Sequence, residues 1–351
     1  MARLENNSIV KTVLGESVQV INKLGESGQG TVYEVKWRDN SYALKWYHRG
    51  GGKNADKFYE NLKQNVEKGS PASTFLWPLA ITEKDNDGCF GYVMKLIPNE
   101  YKDFSQFLLN RVKFSNTKAF VNAALLITVS LQFLHNEGLS YQNLNDGNFF
   151  INPDDGDILI CDNDSVAPDG EHLEYSGVPG FVAPEVLAQN HMPDAFSDRF
   201  SLAVILFKLF FKHHPLIGKC NDNCTTFIFD PNDDSNRPVP GIHNNPLKLW
   251  PLFPPFIQDL FIRAFDKSLM KEDGSGRQNR INENEWLQQL VRLHKSIVLC
   301  PHCNNETLYE PNELERPCVN CGYIFNGKEE VINKNEIVTA ALEKLIKFGI
   351  L

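Results

Sequence analysis

The run Tyr141-Gln142-Asn143-Leu144-Asn145-Asp146-Gly147-Asn148, followed by Ile158-Leu159-Ile160-Cys161-Asp162-Asn163-Asp164, decides the fold of this chain. The first run comes just after a predicted helix, Thr117 to Asn136, which has capping residues before it and Gly138 behind it. The second run is a short apolar strand that ends in carboxylates. Amide and carboxylate side chains therefore follow the end of a helix and the end of a strand.

Outward from these runs, the pattern differs between the two parts of the chain. Towards the N-terminus, alternating apolar residues predict strands, and apolar residues at four-residue spacing predict one helix, Asp56 to Lys68. The predicted strands are Ser17 to Leu24, Thr31 to Trp37, Ser41 to Tyr47, Phe75 to Ile81 and Phe90 to Met94. From residue 97 onward long helices dominate, including Asp198 to Lys212, whose apolar residues on most faces predict burial. The sequence predicts an α+β, two-lobed protein, with a tail at 1–14, a small β-rich lobe at 15–96 and a helical lobe at 97–296.

Two features of the small lobe suit a phosphate-bearing ligand. The hairpin between the first two strands is rich in small residues, namely Gly25, Ser27, Gly28 and Gly30. Glycines there let the backbone approach phosphates closely, and Val32, just after them, can cover a base. Glycine-rich hairpins are common, so this signal alone is weak. The third strand contains Lys45, which can hold phosphates if a carboxylate from the next helix orients it. Glu60 is the best candidate for that carboxylate and Glu67 is the alternative.

The motifs taken together resemble a eukaryotic-type (Hanks-type) protein kinase. Residues 134–148 are similar to the family's catalytic loop, with Tyr141 at the histidine position, Gln142 at the arginine and Asn143 at the catalytic aspartate. Asp162 stands where the Asp-Phe-Gly motif begins, and residues 177–185 end in Ala-Pro-Glu. The resemblance covers roughly residues 15–295 with the motifs in order, and it implies the bilobal kinase fold.

The resemblance also implies ligands and residue roles. ATP would bind with Mg²⁺ or Mn²⁺, and Asn148 and Asp162 would be the metal ligands. Lys45 would contact the phosphates, and the adenine pocket would include Ala43 in the sheet, Met94 as gatekeeper, and Leu96 and Ile97 as hinge. Two structural matches follow as well. Asp198 would brace the catalytic loop, and Glu185 would pair with Arg280.

The departures from the family pattern concern the catalytic loop. Asn143 keeps the shape of the family's aspartate but loses the charge that accepts the substrate proton, which predicts a severe loss of rate with ATP binding retained. Two histories fit, a natural pseudokinase or an active kinase inactivated by Asp→Asn, and Asp146 is the nearest other carboxylate. Asn145 replaces a lysine. Gln142 replaces the arginine that reads a phosphorylated loop, so regulation by loop phosphorylation is not expected.

A narrower resemblance rests on residues 42–47, 75–79 and 161–164, together with His214-Pro215-Leu216 and four cysteines further on. These runs are similar to bacterial serine/threonine kinases associated with tellurite-resistance and stress gene clusters. That resemblance implies a protein substrate, and as partners a von Willebrand factor A-domain protein and a type 2C protein phosphatase.

The pairs Cys300/Cys303 and Cys318/Cys321 predict a zinc ribbon over residues 297–326. Two Cys-x-x-Cys pairs supply four thiolates to one Zn²⁺, which fills a structural site and leaves no position for catalysis. Ribbons also bind nucleic acid, but the acidic residues between the pairs would repel phosphate, so we expect a protein-docking role. Residues 327–351 follow, and an amphipathic helix is predicted within them that packs on its own domain or, as the alternative, binds a partner.

Composition sets further expectations. The net charge of −9 over 351 residues argues against a nucleic-acid partner. No stretch reaches the ~20 consecutive apolar residues of a membrane span. The N-terminus has no apolar core of the signal-peptide kind, so we expect a cytoplasmic protein without membrane attachment.

Overall fold

The structure is a computed structural model that describes residues 3–27, 30–48, 55–171, 173, 177–220, 225–310 and 317–325. The strands are β1 (Ile9–Lys11), β2 (Ser17–Glu26), β3 (Gly30–Trp37), β4 (Asn40–Tyr47), β5 (Ala80–Ile81), β6 (Gly91–Met94), β7 (Lys102–Asp103), β8 (Leu139–Ser140), β9 (Phe149–Ile151), β10 (Ile158–Ile160), β11 (Ala167–Pro168), β12 (Ile297–Leu299) and β13 (Glu306–Leu308). The helices are α1 (Ala55–Lys68), α2 (Phe104–Leu108), α3 (Thr117–Asn136), α4 (Pro184–Leu187), α5 (Ala195–Phe211), α6 (Asn244–Leu249), α7 (Pro255–Ala264) and α8 (Glu283–Lys295). A β-rich lobe precedes a helical lobe, which confirms the predicted fold class.

The small lobe is built on one antiparallel sheet in the order β1-β2-β3-β4-β6-β5. Because successive side chains of a strand point to opposite faces, the sheet buries residues on both sides. Val18, Val35 and Trp46 lie in one apolar cluster, and Tyr47 and Tyr92 lie in another that includes Leu62 of α1. Lys45 directly precedes Trp46 and Tyr47 on β4, which is an interior strand of this sheet.

The predicted N-terminal tail was too long. Ile9–Lys11 pairs with Ser17–Gln19 of β2 as an edge strand of the small-lobe sheet, so the lobe begins before residue 15. The three-residue strand is too short for alternation to be recognised in the sequence. The predicted strand Phe75 to Ile81 is also shorter in the structure, where only Ala80–Ile81 forms a ladder and Phe75 makes an isolated bridge to Ile160.

The helical lobe is organised around α3 and α5, which are almost entirely buried. Asn116 caps α3 by accepting a hydrogen bond from the backbone of Ala119, and Asp194 caps α5 in the same way through Ser197. Asp198 therefore lies in the first turn of α5 and does not open it. Within the part of the chain that the structure describes, α3 has the length and composition of a membrane span, and 78% of its apolar window is buried in the lobe. A central core helix has these same properties.

The strands β12 and β13 pair directly after α8 and join the cysteine-containing segment to the helical lobe. Ile297 and Leu308 belong to the core cluster of that lobe, and the Glu306 carboxylate accepts a hydrogen bond of 2.6 Å from the backbone of Thr117 at the start of α3. The base of the predicted ribbon is therefore continuous with the core of the lobe that precedes it. The predicted helix within residues 327–351 lies outside the described residues.

Candidate functional site

Lys45 is buried near the end of β4 with two carboxylates beside it. Its Nζ atom lies 2.8 Å from Oδ2 of Asp164 and 3.1 Å from Oδ1 of Asp162. Burial lowers the pKa of Lys45, but the charges of Asp164 and Asp162 outweigh that effect and raise it above its usual value. The lysine is therefore charged, and its contacts are with the segment that follows β10.

The prediction that Glu60 pairs with Lys45 was wrong, and so was the alternative Glu67. Both glutamates are exposed on α1. The face of α1 that packs inward carries Asn61, Leu62 and Asn65. Each residue of a helix is rotated about 100° from the last, and the packing of Leu62 turns the glutamates outward.

Four of the residues predicted to surround a base lie together in the structure. Ala43 and Met94 are opposite each other across β4 and β6. Both belong to the apolar cluster that Val32 and Leu96 pack against. Ile97 is half-buried at the end of this run. Together these residues form an apolar wall beside Lys45, and adenine binding at this wall stays a prediction.

The glycine-containing hairpin is closed by backbone contacts. The N–H of Ser27 donates to the carbonyl of Gly30 over 2.8 Å. A Cβ atom at Gly30 would lie 2.5 Å from the carbonyl oxygen of Trp46, so only glycine fits there, whereas Gly25 has open space around it. Gly28 lies outside the described residues. The packing of β3 against β4 therefore requires the glycine at Gly30.

The loop from Asn143 to Asn148 is shaped by its amides. Asn145 accepts a hydrogen bond from the backbone of Gly147, and Asn148 accepts one of 2.9 Å from the backbone of Asn145, which together form a capping box. The backbone N–H of Cys161 donates to the carbonyl of Asn148 over 2.9 Å. This bond places Asn148 beside the residue that precedes Asp162. Asn145 therefore has a structural role at the position where the family has a lysine.

Asp198 braces the catalytic loop, as predicted. Its carboxylate accepts hydrogen bonds from the backbone N–H groups of Tyr141 and Gln142. It also lies 3.1 Å from Nε2 of His135, whose Nδ1 lies 2.9 Å from Glu283. Burial alone would lower the pKa of His135, but the hydrogen bonds to the two carboxylates outweigh it and raise the pKa to about 9. A charged histidine therefore links α5 and α8 beneath the loop.

Asn143 lines a groove between the catalytic loop and the segment before α4. The other side of this groove includes Gly177, Val178 and Ala183. The nearest carboxylate in sequence, Asp146, is paired with Lys208 of α5. The carboxylate of Asp146 is therefore occupied by this ion pair.

Two further contacts fix the segment that leads to α4. The side-chain amide of Gln142 donates to the carbonyl of Glu171 and accepts a bond of 3.4 Å from the backbone of Leu173. A neutral amide thus holds the segment directly, where the family's arginine would bind a phosphate. The predicted pair of Glu185 and Arg280 is confirmed: two parallel hydrogen bonds of 2.7 Å join them, and both side chains are buried.

The four predicted cysteine ligands come together. The Sγ atoms of Cys300, Cys303, Cys318 and Cys321 all lie within 4.8 Å of one another. The Cys300–Cys321 and Cys303–Cys318 sulfur distances are 3.7 and 3.8 Å. A tetrahedron with Zn–S bonds of about 2.3 Å has S···S edges of about 3.8 Å, whereas a disulfide needs about 2.05 Å. The cluster therefore has the dimensions of a zinc site and could bind zinc.

Sequence reasoning missed three residues that shape the site, Asp164, Asn61 and Asn65. Both asparagine amides donate 2.8 Å hydrogen bonds to the carbonyl of Val166. Their spacing of four residues on the Leu62 side of α1 was a usable signal, because it places two polar groups on one helix face. Asp164 had no such signal beyond its position two residues after Asp162.

Comparisons with known proteins agree on the fold. The family model described as protein kinase domain matches residues 18–240. Mouse protein kinase C delta type is 26% identical over 204 residues, which cover 56% of this chain and 29% of that protein. CBL-interacting protein kinase 12 of Oryza sativa is 33% identical over 86 residues, 23% of this chain and 16% of that protein. The chain thus spans less than a third of either relative.

The solved kinase domain of PknI from Mycobacterium tuberculosis superimposes on this chain with a TM-score of 0.56 at 17% identity. The match covers 83% of this chain and 99% of that domain, which shows a shared fold.

Proposed function

Because this chain belongs to the protein kinase family, we propose that it binds ATP with Mg²⁺ or Mn²⁺ and that its site has the layout for phosphate transfer to serine or threonine of a protein, an activity that Asn143 reduces to little or none. The observation that carries this proposal is the contact of Lys45 with Asp162 beside the apolar wall at Ala43 and Met94. The backbone of Asn148 is bonded to Cys161, the residue before Asp162. The lysine is charged and buried, which suits contact with nucleotide phosphates.

Each residue of the site has a role in this proposal. Lys45 would hold the phosphates of the nucleotide, and Gly25 and Ser27 would cover them. Asn148 and Asp162 would supply the oxygen ligands that Mg²⁺ prefers, and the side chain of Asp162 is 44% exposed, so it is open to a ligand. A bound divalent metal would neutralise charge on the phosphates.

Asn143 determines how much chemistry the site performs. Its carbonyl can accept a hydrogen bond from a substrate hydroxyl, but an amide does not take up the proton as a carboxylate would. Asp146 is not a ready substitute, since it is paired with Lys208. We therefore propose that the chain as it stands has little or no transferase activity.

The experiment compares the unmodified chain with Asn143→Asp, and uses Asp162→Ala as the inactive control. Calorimetry with ATP and Mg²⁺ should show binding to the first two proteins. Radiolabelled ATP should show transfer by Asn143→Asp that exceeds the unmodified chain by roughly 10²–10⁴-fold. Absence of ATP binding by the unmodified chain would refute the proposed site.

A second candidate function, favoured by the amide at Asn143 itself, is a pseudokinase that binds nucleotide and acts by docking partners. It predicts ATP binding without transfer in both forms. The transfer assay therefore includes the partners suggested by the family resemblance, a von Willebrand factor A-domain protein and a type 2C protein phosphatase, so that a missing substrate is not mistaken for a missing activity.

For the four-cysteine cluster we propose a structural Zn²⁺ that stabilises a docking module. The site uses all four thiolates, so it leaves no position for a reacting water. The carboxylate of Glu310 beside it is paired with Arg292, which helps to orient the module against α8.

A further inference from the structure

We propose that Asp164 is the positioning residue for Lys45, in the role that the kinase family gives to a glutamate of the small-lobe helix. This proposal rests on the proposed nucleotide site and deepens it. It concerns which carboxylate aims the lysine at the nucleotide phosphates.

The contacts of Asp164 meet the requirement for such a partner. Its Oδ2 atom lies 2.8 Å from Nζ of Lys45, and the side chains are 3% and 5% exposed. The hydroxyl of Tyr47, two residues after the lysine on β4, donates to the same carboxylate. The carboxylate is therefore held by the strand that carries the lysine.

Asp162 and Asp164 divide two tasks between them. Asp164 is buried, whereas the side chain of Asp162 is 44% exposed. A lysine ammonium has three donors, and the two aspartates use two of them. Asp164 can thus keep Lys45 in place while the third donor, and the carboxylate of Asp162, remain available to a nucleotide and its metal.

Helix α1 has no carboxylate on the face that turns towards the site. Its inward polar residues are Asn61 and Asn65, whose side-chain amides donate to the carbonyl of Val166. The helix is therefore anchored to the segment after Asp164, and the orientation of Lys45 does not require a salt bridge to α1. In kinases that use the helix glutamate, the position of the helix controls that pair. Here the lysine and its two carboxylates form one local cluster, and the pairing does not involve a side chain of α1.

The test measures the binding of ATP, ADP and adenosine by calorimetry for the unmodified chain, Asp164→Asn, Lys45→Met and the double variant. Glu60→Gln is the matched control from α1. We expect Asp164→Asn to weaken ATP and ADP about tenfold, as the loss of a charge-assisted hydrogen bond implies. Adenosine, which has no phosphates, should bind as before. In the Lys45→Met background the Asp164 change should add nothing, because its effect passes through the lysine.

Several results would overturn the proposal: unchanged ATP affinity in Asp164→Asn, an equal loss for adenosine, or a loss in Glu60→Gln. If Asp164→Asn does not fold because Lys45 is left with less charge compensation, a folded double variant supports the pairing, and an unfolded one overturns it. Absence of ATP binding by the unmodified chain would refute the nucleotide site and this role together. If only the role of Asp164 is wrong, the unmodified chain still binds ATP.

Discussion

Replacing Arg280 by Met should destabilise the helical lobe severely, because it leaves the buried carboxylate of Glu185 without its partner. The pair is bidentate, with both distances at 2.7 Å, and neither side chain is more than 3% exposed. Arg280 also donates to the backbone carbonyls of Leu269 and Phe196. The change therefore removes both bonds to the carboxylate and the bonds to two carbonyls.

The magnitude follows from burial. Removing one partner of a buried ion pair typically costs about 3–5 kcal/mol, because the remaining charge keeps its desolvation penalty. For a domain of this size each kcal/mol lowers Tm by about 2–4 °C. We expect Arg280→Met to lower the free energy of unfolding by this amount, with a Tm decrease of roughly 10 °C.

Urea denaturation followed by tryptophan fluorescence measures the effect, and Arg263→Met is the matched control. Arg263 forms an ion pair with Glu285 in which the side chains are 54% and 33% exposed, and such pairs contribute less than about 1 kcal/mol. Similar small losses in both variants would refute the reasoning. So would a double variant, Arg280→Met with Glu185→Leu, that is no more stable than Arg280→Met alone, because replacing both charges should relieve the unpaired carboxylate.

Two further predictions concern pH and metal. The pKa of His135 is about 9 in the folded chain and 6.5 unperturbed, so its stabilising effect should be complete below pH 6.5 and decline as the pH rises through 9. Unfolding curves across that range should show the decline, and His135→Gln should lack it. Elemental analysis should find one Zn²⁺ per chain, and chelation or Cys303→Ser should unfold the ribbon while ATP binding persists. A ribbon that is folded without metal would contradict the zinc site.

Local sequence patterns predicted the longer helices and strands, in which a pattern repeats over many residues. The helix α3 has the predicted bounds, and β2, β3 and β4 lie within one or two residues of their predicted positions. Alternation and capping are local properties, so a single sequence displays them. Motif order located Asp198 and the pair of Glu185 and Arg280, since these residues have fixed places relative to the catalytic loop.

The partner of Lys45 shows where such reasoning stops. A carboxylate four or five residues into α1 was plausible from spacing, yet adjacent helical residues differ by about 100° in direction. Glu60 and Asn61 are neighbours in sequence, and only the packing of α1 on the sheet determined that the amide faces inward. Asp164 is the partner because the fold brings the segment after β10 next to β4. Lys45 and Asp164 are 119 positions apart in the chain.

By itself the sequence determined the α+β two-lobed architecture, the loop with Asn143 in place of a carboxylate, and the four thiols of the ribbon. These depend on residue types and short spacings, which are written directly in the chain. Tertiary structure alone decided that Asp164 and Asp162 face Lys45, that Gln142 holds the segment before α4, and that the ribbon joins the core of the helical lobe. Each of those contacts joins distant segments, and their geometry is set by how the side chains of the two lobes pack together.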